Sequence, residues 1–95
     1  MHIREFQGMM RQLYFERDMK RGVPRTYSWL TDEVEELGGA LKGTNKEELE
    51  KEFADVIAWL ASLANITGVD LETAAIAKYN HKCPKCGQSP CACIF

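Results

Sequence analysis

Apolar residues recur along this chain at every third or fourth position rather than every second, which is the period of a helix. Ile3, Phe6, Met10, Leu13 and Tyr14 mark a first helix from about His2 to Lys20, and Gly22, Val23 and Pro24 break it. A second helix opens near Thr26 or Ser28, both good capping residues, and carries Leu30, Val34, Leu37 and Leu41 on one face until Gly43. Asn45, with Glu48 three residues on, reads as a capping box for a third helix, striped by Leu49, Phe53, Val56, Leu60, Leu63 and Ala64. Gly68 ends it. Asp70 then caps a fourth helix, continued by Leu71, Ala74, Ala75 and Ala77 to about Asn80. No segment alternates as a strand does, and no repeat or low-complexity stretch interrupts the pattern. The expected fold is all-α, a helical bundle of about four helices.

The third helix departs from a simple stripe. From Val56 to Ala64 it is apolar almost all the way round, because Ala58, Trp59 and Ala61 join the face residues. A helix apolar on every side asks to be buried on every side. So few helices cannot surround it, and the pattern predicts a bundle completed by homo-oligomerisation, as a homodimer or tetramer. The competing reading is that Ala58 and Ala61 are exposed residues chosen for helix propensity.

The bulk properties narrow the class. A chain of 95 residues with 45% hydrophobic and 27% charged residues has the composition of one small folded domain. Its net charge of -2 speaks against a nucleic-acid partner, which selects basic surfaces. The polar start, Met1-His2-Ile3-Arg4-Glu5, does not resemble a signal peptide, and the longest apolar run is too short to span a bilayer. A cytoplasmic protein without a membrane partner is the expectation.

The candidate chemistry lies in a doubled acidic pair, Glu33-x-x-Glu36 and Glu52-x-x-Asp55. Residues three apart share a helix face, so each pair presents two carboxylates side by side. With the turn centred near Gly43, the second and third helices run antiparallel. At about 1.5 Å of rise per residue, the two pairs are offset by only about 3 Å along the axis. Four like charges so placed repel and resist desolvation unless a cation joins them. Hard oxygen ligands on two helices suit Mg²⁺, and Mg²⁺ sites commonly handle phosphates. Glu35, Glu47, Glu48 and Glu50 read instead as solvated helix surface.

The segments Leu30-Thr31-Asp32-Glu33-Val34-Glu35-Glu36-Leu37 and Glu52-Phe53-Ala54-Asp55-Val56-Ile57 resemble the E-x-x-E…E-x-x-D signature of MazG-like nucleotide pyrophosphohydrolases. These belong to the all-α NTP pyrophosphatase superfamily, with the dimeric dUTPases and small dCTP pyrophosphatases. The similarity extends to Gly68-Val69-Asp70-Leu71-Glu72 and Ala77-Lys78-Tyr79-Asn80, covering a helical domain over residues 1–80. It implies Mg²⁺-dependent cleavage of a (deoxy)nucleoside triphosphate between the α- and β-phosphates, with Glu33, Glu36, Glu52 and Asp55 as metal ligands. Lys78 and Asn80 match the family's downstream element, which implies contacts to phosphate or sugar; the alternative is a solvated helix end. Trp59, one turn beyond Asp55, is placed either to stack on a base or to fill the core. Arg25 joins Arg17, Lys20 and Arg21 in a basic cluster that either draws in an anionic substrate or is solvated. The sequence departs from the family pattern in two respects: Asp32 stands where the commoner form has a glutamate, and His81 and Lys82 stand where a basic residue often follows the Lys/Asn element.

The remaining segment, residues 81–95, holds all four cysteines: Cys83-Pro84-Lys85-Cys86-Gly87 and Cys91-Ala92-Cys93. A C-P-x-C-G turn suits a zinc knuckle, and four thiolates close a tetrahedral structural site with no open position. Structural Zn²⁺ on Cys83, Cys86, Cys91 and Cys93 is the expected occupant. Disulfides are the rival, and His81 is a substitute for one cysteine. Two other functional classes stand beside the enzyme: a nucleotide sensor that binds without cleaving, and a zinc-tailed helical interaction module.

Overall fold

The structure is a computed structural model that describes residues 1–94. Four helices account for the secondary structure among the described residues, which include no strand. Helix α1 (Ile3–Arg21) starts where the Glu5 carboxylate accepts from the His2 N–H at 3.0 Å, and Lys20 and Arg21 complement the dipole in its last turn. It ends at Gly22, whose φ of +84° no other residue type adopts cheaply. The Gly22 N–H closes α1 on the Asp18 carbonyl at 2.9 Å, while its own carbonyl accepts from Thr26 N–H at 3.1 Å to open the next helix.

Helix α2 (Val23–Leu41) therefore begins earlier than the pattern suggests. Pro24 falls in its first turn, where a missing N–H leaves nothing unsatisfied. The expected three-residue break shrinks to one glycine, and neither Thr26 nor Ser28 caps anything. Thr26 is instead completely buried. Helix α3 (Lys46–Thr67) starts at Asn45, whose side chain accepts from Glu48 N–H at 3.1 Å. It ends at Gly68, left-handed at φ +74°. Helix α4 (Leu71–Lys78) is capped by Asp70, which accepts from Thr73 N–H at 3.1 Å. The fourth helix is thus shorter than expected, and Asn80 lies beyond it.

Helices α2 and α3 form the antiparallel hairpin, and α1 packs across α3. The buried face of α3 is made of small residues, Ala61, Ser62, Ala64 and Asn65, which let α1 come close. Gln7 from α1 reaches into the α3–α4 turn. Its side-chain amide donates to Asn65 Oδ1 at 3.0 Å and Val69 carbonyl at 2.7 Å, and its side-chain oxygen accepts from Leu71 N–H at 2.8 Å. Asn65 returns a bond to the Gln7 carbonyl at 3.1 Å. Every polar atom in this buried knot has a partner, so it fixes the turn instead of weakening the core. On the surface Arg4 meets Asp70 at 2.8 Å and Glu72 at 3.0 Å, tying α1 to the start of α4.

The protomer leaves much apolar surface open. Among the described residues, Met10, Ala61 and Ala64 are the buried hydrophobic ones, while Val34 and Leu41 on α2 and Phe53, Ile57 and Leu60 on α3 are all at least 41% exposed. Within each helix these residues are spaced to share a face. No single helix among the described residues is long and apolar enough to cross a membrane.

Candidate active site and cysteine centre

The hairpin brings the two acidic segments together. One carboxylate oxygen from each of Glu33, Glu36 and Glu52 can be chosen so that all three lie within 4.8 Å of one another. Glu33 and Glu52 are half-buried and Glu36 is exposed, so the cluster opens to solvent on one side. The Oε2 atoms of both Glu33 and Glu52 are buried without a hydrogen-bond partner. Burial and the neighbouring Glu36 carboxyl, followed by the charges of Asp55 and Glu52, push the Glu33 carboxyl up to about 7. Glu52 is raised as well, by burial and then by the charges of Glu36, Asp55 and Glu48. Asp55 sits one turn further along α3, exposed, and its charge is felt by both raised carboxyls.

Orphaned carboxylate oxygens and raised pKa values describe the same imbalance: too much negative charge with too little to neutralise it. Three converging hard oxygen donors fit a divalent cation such as Mg²⁺, which would supply the missing positive charge. Glu33, Glu36 and Glu52 could hold such an ion, with Asp55 beside them.

Beside Asp55 opens a cavity of about 340 Å³ lined by residues of α1, α2 and α3, among them Tyr14, Arg17, Asp18, Arg21, Trp29 and Trp59. Trp29 lies one turn before Glu33 and Trp59 one turn after Asp55. Because the helices are antiparallel, both indoles fall at the same end of the acid cluster. Their rings meet edge to face, with centroids 5.2 Å apart. The Arg21 guanidinium lies 4.9 Å from one ring centroid and 4.7 Å from the other, held by Asp18 Oδ1 at 2.7 Å. Asp18 is 2% exposed, and its other oxygen has no partner. The cavity therefore combines aromatic faces, two guanidinium groups and an unsatisfied acceptor.

The sequence-predicted residues divide accordingly. Glu33, Glu36 and Glu52 cluster together, while Asp55, whose charge acts on Glu33 and Glu52, lines the neighbouring cavity with Trp59. Of the basic cluster, Arg17 and Arg21 line the cavity, whereas Arg25, Lys78 and Asn80 are exposed and do not. The Lys78 ammonium lies 5.6 Å from the centroid of the Tyr79 ring. Sequence reasoning passed over Asp18 and Trp29. Trp29 obeys the same one-turn rule that picked out Trp59, applied upstream of Glu33.

In the tail, one sulfur from each of Cys83, Cys86, Cys91 and Cys93 lies within 4.8 Å of every other, and none is in a disulfide. His81 is not part of this group. Backbone N–H groups of Ala92 and Gln88 pull the Cys86 thiol down to about 6, and those of Cys86 and Lys85 lower Cys83. Hydrogen bonding with the surrounding thiols, Cys91 foremost, drives Cys93 up to about 11.

Comparison with known proteins places these features. No curated protein matches the chain. The family model of the MazG nucleotide pyrophosphohydrolase domain matches residues 22–87, from the linker glycine through the acidic hairpin into the cysteine tail. That stretch is more than half of the 95 residues, and it contains the whole acidic site. The chain belongs to the MazG nucleotide pyrophosphohydrolase family.

Proposed function

We propose that this protein hydrolyses a (deoxy)nucleoside triphosphate between its α- and β-phosphates, in a Mg²⁺-dependent reaction that releases nucleoside monophosphate and pyrophosphate. Family membership carries the general activity, and one observation supports the finer reading. Three carboxylates with two orphaned, buried oxygens feel the charge of Asp55, which in turn lines a cavity of aromatic rings and guanidinium groups. A triphosphate needs both halves: cation ligands for its phosphates and a flat, apolar slot for its base.

Glu33, Glu36 and Glu52, with Asp55 adjacent, hold the Mg²⁺ in this reading. Such an ion, when bound, would neutralise phosphate charge and activate water for attack. The chain's own residues do the positioning. The Trp29 and Trp59 rings offer stacking faces for the base, and Arg17 and Arg21 offer positive charge to the phosphates. In the resting conformation the Arg21 guanidinium covers both indoles, so a stacking base displaces it or layers upon it. Asp55, exposed and lining the cavity, would accept a proton from the attacking water in this reading. Lys78, Asn80 and Arg25 are left with no role that the cavity requires.

Oligomerisation belongs to the same proposal. The apolar residues left open on α2 and α3 are what a second copy of this chain covers in a homodimer or tetramer. Purified protein offered a panel of NTPs and dNTPs with Mg²⁺ tests the activity, with monophosphate and pyrophosphate resolved separately. Wild type is expected to release both products in equal amounts and Glu52→Gln neither. Release of free phosphate instead, or equal turnover by the variant, overturns the reading. Binding of Mg²⁺-nucleotide without turnover would make the protein a sensor.

A further inference from the structure

We propose that Cys83, Cys86, Cys91 and Cys93 bind one structural Zn²⁺ through all four sulfurs, independently of the acidic site. The argument begins with spacing. Around a tetrahedral zinc, sulfurs at about 2.3 Å from the metal lie about 3.8 Å from one another. Here the Cys83–Cys93 and Cys86–Cys91 sulfurs are 3.7 and 4.0 Å apart, and all four fall within one 4.8 Å group. Two disulfides require only two close pairs. Nothing in that pairing explains why both pairs should crowd into one cluster.

The backbone is shaped for thiolates. The Ala92 N–H points at Cys86 Sγ and the Cys93 N–H at Cys91 Sγ, each at 3.3 Å, so main-chain donors already serve two of the sulfurs. Gly87, left-handed at φ +73°, closes the first turn by donating to the Cys83 carbonyl at 2.8 Å. The Cys83 N–H in turn donates to the Gln88 carbonyl at 3.0 Å. Lys82 immediately precedes this turn and Lys85 lies within it, so two positive charges accompany the two surplus negative charges of a Zn(Cys)₄ centre.

The described part of the tail has no apolar core to order it. From Tyr79 to Ile94 no residue is fully buried, and the half-buried positions are cysteines. A segment without a core holds one conformation only if something other than apolar burial fixes it, and a bound metal does so. Soft sulfur donors select zinc over the hard cation favoured by the carboxylates of the hairpin. The centre has no open position, so its work is structural: it fixes the chain that leaves α4.

Metal analysis of the full-length protein tests this, alongside its intact mass under denaturing, non-reducing conditions. The expected result is about one zinc per chain and a mass showing four free thiols. Cys86→Ser and Cys93→Ser should each lower the zinc content at least tenfold, while Glu52→Gln should leave it unchanged. If the cysteine variants fail to fold, replacing the native metal by Co²⁺ in wild type decides the matter, because tetrahedral sulfur ligation gives intense visible bands. A mass lower by four hydrogens, iron in place of zinc, or zinc content indifferent to the cysteines would each overturn the proposal.

Discussion

Replacing Glu33 by glutamine removes a charge that the metal-free protein holds at a cost. The Glu33 carboxyl is raised from 4.5 to about 7 by burial and by its acidic neighbours. In the unfolded chain it keeps its ordinary value, so between those limits the unfolded state loses its proton first. A raised folded-state pKa contributes stability that is intact below the unfolded value and is lost as pH rises through the folded one. The full gap is worth about 3 kcal/mol, and solvent reaching this half-buried side chain screens it to about 1–2 kcal/mol. Glutamine keeps the shape without the charge. In EDTA at about pH 8, Glu33→Gln should therefore melt about 5–10 °C above wild type, and the difference should vanish below about pH 4.5. Added Mg²⁺ should reverse the order, raising the melting temperature of wild type and leaving the variant almost unmoved. Thermal unfolding followed by circular dichroism, at fixed protein concentration with and without Mg²⁺, reads all of these at once. If Glu33→Gln is no more stable than wild type in EDTA at the higher pH, the repulsion argument is wrong. Equal stabilisation of both proteins by Mg²⁺ would place the metal elsewhere.

Three further outcomes follow from other parts of the structure. Trp29→Ala and Trp59→Ala should each weaken substrate binding by about 1–3 kcal/mol, seen as a KM rise of about 5- to 150-fold in steady-state kinetics, with kcat changed much less. Asn65→Ala removes the acceptor for the Gln7 amide and a donor to the Gln7 carbonyl in a buried site, and should cost about 1–3 kcal/mol in urea unfolding. Arg4 and then Thr73 hold the Asp70 carboxyl well below the usual carboxylate range. That contribution is present above the ordinary carboxylate pKa and is lost in acid. Arg4→Ala should therefore be less stable than wild type at neutral pH and converge with it as the pH falls, in an acid titration followed by circular dichroism.

The acidic site was legible because its information is local and periodic. Glu33 and Glu36 share a face by spacing alone, and the Gly43 turn sets the register that brings Glu52 to them. The ends marked by Asn45, Gly68 and Asp70 were equally readable, since each is a single residue whose chemistry stops or starts a helix. The start of α2 was not. Val23-Pro24 looks like a break from sequence, but a proline in the first turn is compatible with a helix, and Gly22 alone makes the corner. Gln7 and Asn65 were out of reach for a different reason. Their partnership spans 58 positions and follows from how α1 crosses α3, which no periodicity encodes. Asp18 was hidden in the same way, as a polar residue whose burial depends on the packing of three helices around the cavity.

The paired indoles have a consequence beyond stacking. Trp29 and Trp59 are the chain's 2 tryptophans, and both line the same cavity. All of the protein's indole emission therefore originates in one place, under the charge of Arg21. The molecule carries an internal optical probe of that cavity, with no second emitter to dilute the signal. A ligand that displaces the guanidinium and lies against the rings will change the emission directly. Unlabelled protein thus reports occupancy in real time, even for a variant that cannot turn its ligand over.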